Sequence, residues 1–372
     1  MKQAALAFWK KLLQCFKSMG FDRSKADPCL YFKWTIGGLV LWLSWVDDCL
    51  AVGSLDNVNK AKKQMTDRFD CDVIGNMDEY VGCKVEYNRQ ERWIKLTQPV
   101  LLQSFKDEFE LPESVPSTPA EPGQMLLSGD EESPLKASDQ KTYRKGVGKL
   151  LHMMRWSRPD ILNSVRELSK YMTKATPAHL KAMYRVMAYC VGTEKRGLLL
   201  KPEGQWDGNP DYEFEIFGLS DSNYATDPMT RRSISGCATF LNKAPVIMRS
   251  KQQGSTKLST TEAELDAGTT TAQDMLFSMR VVESVGLKVK KPMILMIDNK
   301  GTVDLINNWS VGGRTRHVEV RMYFLRELKE QGIIRTVWCP SERMSADMFT
   351  KNLPPTLFRK HATAFCGQDE YS

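Results

Sequence analysis

Four carboxylates stand where structure alone rarely places them. Asp221 follows the run Ile216–Ser220, Asp298 follows Ile294–Ile297, and Asp347 comes after a later strand pattern and a short loop. Glu264 falls in the first turn of a long helical pattern. Separations of 43, 34 and 49 residues scatter them along the chain, yet the strand ends of one sheet can converge. Four acids meeting in water repel one another, so the grouping is tolerable around divalent cations, and hard oxygen ligands suit Mg²⁺ or Mn²⁺. Two such ions about 4 Å apart would activate a water and stabilise the leaving oxygen of a phosphodiester. Each acid also has a local explanation. Asp298-Asn299 reads as turn chemistry, Asp347 as a charge at a helix start, and Thr261-x-x-Glu264 and Ser259-x-x-Glu262 as capping boxes. Four such coincidences in one unit favour the metal reading.

A second acidic pair, Asp47-Asp48, separates the apolar run Leu39–Val46 from Cys49–Val52 and would present two carboxylates at a hairpin.

The elements that must carry these groups can be read from periodicity. From Phe214 the pattern runs strand (Phe214–Ser220), strand (Ser235–Leu241), strand (Val246–Ser250) and long helix (Glu262–Val285). Strand Met293–Ile297, a helix near Thr302–Asn308, a helix Val318–Gln331, strand Ile333–Cys339 and a last helix around Ser345–Phe349 complete it. The order βββαβαβα predicts an α/β unit, a mixed sheet flanked by helices. Upstream, helices are expected at Asp139–Met154, Asp160–Thr173 and Ala178–Val191, with Pro159 and Pro177 in first turns and Thr176 as an N-cap. Residues 111–138 hold Pro112, Pro116, Pro119, Pro122 and Pro134 among Ser and Glu, and read as a linker or long surface loop. At the start, Leu6, Trp9, Leu13 and Phe16 give an amphipathic helix that stops at Gly20. A core helix is the plainer reading of it, an organelle address or membrane-surface helix the other. Strands follow at Cys29–Trp34 and Leu39–Val46, then a helix at Val58–Phe69, and strands Val81–Tyr87 and Trp93–Leu96.

Composition removes several classes. The 372 residues carry 52 basic and 45 acidic side chains, a formal +7 that permits a polyanionic partner without requiring one. No apolar run approaches the roughly 20 residues of a membrane span. Nine cysteines, an odd number without a Cys-x-x-Cys, point to reduced thiols and an intracellular location, cytoplasmic or nuclear. Four isolated histidines offer no zinc spacing, Gly146-x-Gly148-Lys149 is too short for a phosphate-cradling loop, and no Gly-x-Ser-x-Gly is present.

At this point the motifs resemble a family. Ser220-Asp221-Ser222-Asn223-Tyr224, Arg231–Gly236, Ser250-Lys251-Gln252, Leu258–Glu264, Asp298-Asn299, Arg314-Thr315-Arg316-His317 and Ala346–Lys351 resemble the RNase H domain of copia-type LTR retrotransposon Pol polyproteins. Tyr143–Gly148, Ser157–Ile161 and Val191-Gly192-Thr193 are similar to the segment joining reverse transcriptase to RNase H. Asp27–Tyr31 and Trp45-Val46-Asp47-Asp48 resemble the palm hairpin, with Trp45 in place of the usual Tyr. The ordered set covers nearly the whole chain.

The resemblance implies a multi-domain α+β protein: a partial palm (1–110), the linker (111–138), a helical connection (139–205), an RNase H-like domain (211–355) and a tail (356–372). It implies that Asp221, Glu264, Asp298 and Asp347 bind two Mg²⁺ or Mn²⁺ ions and cut the RNA strand of an RNA–DNA hybrid, with Glu262 left to cap. Integrase-like relatives place a Glu last, whereas here the last acid is Asp347. Lys251, Arg314, Arg316, His317 and Lys351 are candidate substrate contacts. Cellular RNase H enzymes often carry a His shortly before the last Asp, but here that stretch is Pro340–Met344. Polymerase chemistry needs a third aspartate and fingers from an earlier segment, so the chain as written is not expected to polymerise DNA. Within a longer polyprotein Asp47 and Asp48 would act. An inert or domesticated remnant that binds nucleic acid or protein is the alternative.

Overall fold

The computed structural model describes residues 2–46, 48–126, 133–308 and 319–367. Contacts divide them into two units. The first holds the residues up to Met77 with Gly204–Phe214 and Leu276–Lys290, and the second holds Asp78–Glu203, Glu215–Met275 and the chain from Lys291 onward.

In the first unit a helix, Lys2–Ser18, packs on an antiparallel sheet containing Leu30–Thr35, Gly38–Trp45 and Asp48–Val52. Its buried face is Leu12, Cys15, Phe16 and Met19; of the expected stripe Phe16 is buried and Leu13 packs against this core, while Leu6 is exposed. The two faces differ by a rotation about the helix axis. Aromatic packing fixes it: the Phe16 ring stacks on Tyr31 at 4.1 Å and meets Trp42 edge-on. Gly20 ends the turn with φ +78°, a left-handed conformation that suits glycine. The tight hairpin sets Trp45 opposite Asp48.

The second unit is built around a five-stranded mixed sheet. Its order from edge to edge is Ala244–Gln252, Ile234–Leu241, Ile216–Asn223, Met293–Ile297 and Ile334–Trp338. The first three strands are antiparallel and the last two run parallel to the central one. This is the mixed sheet read from the sequence, with two helices, Lys300–Asn307 and Glu319–Glu330, between its fourth and fifth strands in chain order where βββαβαβα counts one. Met293, Leu295 and Ile297 are buried, as are most residues of the central strand, because both faces of the sheet are covered. The part of the long helix Thr260–Ser284 that belongs to this unit, up to Met275, lies on one face, where Gly218 admits it: a Cβ there would come within 2.5 Å of Thr271 Cγ2. The other face meets a single 3₁₀ segment, Ser345–Phe349, where an α-helix was expected. It also meets a helix Pro355–Cys366.

The units divide the chain differently from the sequence reading, which kept residues 211–214 and 276–290 within the domain 211–355. Residues 78–110, expected with the palm, belong to the second unit. There Cys83–Asn88 and Trp93–Thr97 form a sheet completed by Leu198–Leu200, and Pro99–Glu108 forms a helix. That helix buries Leu102 and Phe105. The proline-rich segment is not a free linker, since Thr118 is buried, Gly123 N donates to Asn352 O (2.8 Å), and Leu135 N donates to Ala175 O (2.9 Å). Prolines exclude regular structure there, but not docking. The expected tail is largely the helix Pro355–Cys366, with Phe358, Ala362, Phe365 and Cys366 buried. Full burial of each phenylalanine is worth roughly 1.5–3 kcal/mol.

Candidate metal centre

Parallel pairing sets the first contact of the site. Ser220 lies opposite Ile297, so the next rung sets Asp221, inside the strand Ile216–Asn223 and not at its end as expected, beside Asp298, which directly follows Met293–Ile297. Glu264 arrives from the long helix. Its Oε1 accepts from Ser222 N (3.1 Å) and Ser222 Oγ (2.7 Å), while Oε2 is buried without a hydrogen-bond partner. Oxygens of Asp221, Glu264 and Asp298 all lie within 4.8 Å of one another. Glu262 points elsewhere: it accepts from Leu258 N (2.8 Å) and caps the helix start, as the sequence reading assigned it. Asn299, not Asp298, caps the helix Lys300–Asn307 by accepting from Thr302 N (2.9 Å). The local explanation for Asp298 therefore belongs to its neighbour.

Asp347 stands outside the tight trio but is tied to it through Lys351. The Lys351 ammonium lies 3.3 Å from Asp221 Oδ1 and 3.4 Å from Asp347 Oδ1. Thr350 Oγ1 donates to Asp221 Oδ2. The turn carrying these residues rests on Gly236, directly across the ladder from Asp221. A Cβ at 236 would sit 2.6 Å from the Ala346 carbonyl oxygen, and backbone cannot swing aside as a side chain can. Gly236→Ala is expected to displace the turn and weaken divalent-metal affinity by up to about 100-fold. Mn²⁺ binding followed by paramagnetic resonance, with a melting curve to establish folding, checks this.

The electrostatics are those of crowded acids. Burial, then the charge of Asp221, pushes Asp298 up to about 6 and Asp347 up to about 8. Glu264 is raised well above the usual carboxylate range by burial, then by Asp221 and Asp298. Burial alone would lower Lys351, but Asp221, Asp347 and Asp298 outweigh it and raise that group. A carboxyl raised in the folded chain keeps a proton that the unfolded chain has lost. Its stabilisation is complete below about pH 4 and disappears as pH rises through the folded values near 6 and 8. The metal-free protein is therefore expected to melt lower at pH 8 than at pH 5, with added Mg²⁺ restoring the difference at pH 8. Thermal melts in chelator and in Mg²⁺ measure it; a melting temperature that rises from pH 5 to pH 8 without metal contradicts it.

Lys251 is exposed on the edge strand, as a substrate contact requires, whereas Lys351 is engaged with the acids. Asp48 is exposed at the first unit's hairpin. Asp47, Arg314, Arg316 and His317 lie outside the described residues. Thr350 and Ser222, which orient Asp221 and Glu264, were not singled out from sequence. Their only signal was adjacency to the acids.

A family model described as reverse transcriptase (RNA-dependent DNA polymerase) matches residues 1–122. The chain is 27% identical over 365 residues to the retrovirus-related Pol polyprotein from transposon TNT 1-94 of Nicotiana tabacum, covering 96% of this chain and 27% of that protein. It is 27% identical over 368 residues to the corresponding polyprotein from transposon RE1 of Arabidopsis thaliana, covering 98% and 24%. The chain thus spans about a quarter of the length of these relatives. The crystal structure of LC11-RNase H1 in complex with an RNA/DNA hybrid aligns at 15% identity with a TM-score of 0.29, over 37% of this chain and 94% of that one.

The chain has a mixed α/β fold, and its residues 1–122 match reverse transcriptases. Over nearly its whole length it is similar to Pol polyproteins of copia-type LTR retrotransposons.

Proposed function

We propose that the second unit hydrolyses the RNA strand of RNA–DNA hybrids with divalent metal bound by Asp221, Glu264 and Asp298, and with Asp347 completing the set. The convergence of three acids within 4.8 Å at one end of the mixed sheet carries this reading. The donor set fits a hard cation: every group offers carboxylate oxygen, and Glu264 Oε2 is buried with no partner of its own. Metal bound there supplies Lewis-acid polarisation of the scissile phosphate and lowers the pKa of a water.

The protein's own groups fix the geometry. Ser222 locks Glu264 from one side and leaves its second oxygen free for a ligand. Thr350 holds one oxygen of Asp221, which sets the plane of that carboxylate. Lys351 offsets part of the negative charge that the acids accumulate and keeps Asp347 near the trio. Phosphate contacts from residues such as Lys251 would supply most of the substrate affinity, which should weaken steeply with salt. The order of the acids, with Asp rather than Glu last, supports hybrid cleavage over DNA strand transfer.

The test is cleavage of a labelled RNA in Mg²⁺, once annealed to DNA and once single-stranded. Cutting confined to the hybrid supports the proposal, and equal cutting of both or of neither overturns it. The family match over residues 1–122 favours a second role, in which the hairpin of Asp47 and Asp48 serves DNA synthesis within a longer polyprotein.

A further inference from the structure

The helix Leu162–Ser169 precedes the five-stranded sheet in sequence and buries Leu162, Val165 and Leu168 in the apolar core, yet a second face of it, also buried, is polar. Asn163, Arg166 and Glu167 are buried, and Lys170 follows one turn later, the i, i+3, i+4, i+7 spacing of a single helix face. Such a polar face is usually left to solvent. Here Arg166 Nη2 donates to Asn163 Oδ1 (2.7 Å) and its Nε donates to Ser250 Oγ (3.0 Å). Ser250 passes the link on, donating to the carbonyl oxygen of Phe349 (2.5 Å). Asn163 Nδ2 donates to Asn352 Oδ1 (2.8 Å), and Asn352 Nδ2 reaches Glu167 Oε2 (3.4 Å). Lys170 Nζ is 2.7 Å from Asp227 Oδ2, in the loop after the central strand.

These bonds end on both sides of one short segment. Phe349 and Asn352 flank Thr350 and Lys351, and Asp347 lies two residues before Phe349. Burying this many polar groups costs desolvation that an apolar face would avoid, so the arrangement adds direction more than stability. We infer that Arg166, acting through Ser250, is a positioning residue for the metal centre. The connection helix holds the Asp347–Lys351 segment against Gly236 and Asp221 and is a working part of the nuclease. This rests on the hydrolase reading above.

Arg166→Met keeps the length of the side chain and removes its bonds, and Ser250→Ala breaks the same link with a smaller change. Each is compared with wild type for kcat and KM on the hybrid and for Mn²⁺ affinity by paramagnetic resonance. Both variants are expected to lose between about 10- and 100-fold in kcat and to bind Mn²⁺ more weakly by a similar factor. KM for the hybrid should stay within about twofold, because the substrate surface is untouched. Folded variants that keep wild-type kcat and Mn²⁺ affinity overturn the inference. If Arg166→Met does not fold, Ser250→Ala decides. A wild-type chain that binds Mn²⁺ but does not cut removes the hydrolase reading instead, and the Mn²⁺ affinities of the variants then decide the positioning role.

Discussion

Asp298→Asn should slow hybrid cleavage by about 10³-fold while leaving the chain folded. The side chain is nearly isosteric, so packing is preserved, and only a charged oxygen ligand beside Asp221 is lost. Metal assistance is worth several kcal/mol of transition-state stabilisation, and each 1.4 kcal/mol corresponds to about tenfold in rate. The same variant should melt higher than wild type at pH 8 without metal. It removes one of the mutually repelling acids and the group that burial and Asp221 raise to about 6. Single-turnover rates and chelator melts on the same preparation measure both effects. Equal rates in Mg²⁺ would contradict the assignment of Asp298, whatever the melts show.

The second large effect concerns stability. Arg158 is fully buried, and its Nε and Nη2 donate in parallel to the two oxygens of Asp160, each at 2.9 Å. Tyr189 OH donates to Asp160 Oδ2 (2.7 Å), and Arg196 lies 3.6 Å from the same oxygen. Burial opposes the carboxylate charge, but Arg158 and then Arg196 hold Asp160 down to about 2. Asp160→Asn leaves two guanidinium groups without their counter-charge in a dry interior, which costs about 3–5 kcal/mol. Urea denaturation of the second unit should show this as a lower midpoint. A depressed carboxyl stabilises above its unfolded value near 4, so the pair's contribution is lost as pH falls from about 4 towards 2. That window does not overlap the one set by the metal-centre acids. A loss below about 1 kcal/mol would mean that the pair is solvated.

Much of this molecule was legible in its residues, for identifiable reasons. Met293–Ile297 is an unbroken apolar run ending in Asp-Asn, and it is a strand between those bounds. Period, burial and turn chemistry agree there. Asp221 and Asp298 were found because a charge directly after such a run has nowhere apolar to go. The buried face of Lys2–Ser18 was read only in part, at Phe16 and Leu13, because Leu6, Trp9, Leu13 and Phe16 satisfy helical spacing as well as Leu12, Phe16 and Met19 do. Only the sheet beneath the helix decides between those faces. Pro355–Cys366 was passed over as tail, although Phe358, Ala362 and Phe365 repeat at helical spacing and Pro355 suits a first turn. The polar face of Leu162–Ser169 could not be read at all. Asn163, Arg166 and Glu167 look like a solvated surface until Ser250 and Asn352, far away in sequence, are set against them.

The most direct measurement is a titration of Mg²⁺, followed by calorimetry, into wild type and into Asp221→Asn. Asp221 touches every other part of the centre: Asp298 beside it, Thr350 and Lys351 across from it, and Glu264 within ligand reach. Wild type should bind Mg²⁺ at neutral pH and release protons as the raised acids ionise, and Asp221→Asn should show neither heat nor proton release. Binding of equal strength in both proteins, or in neither, would contradict a metal centre at this sheet end.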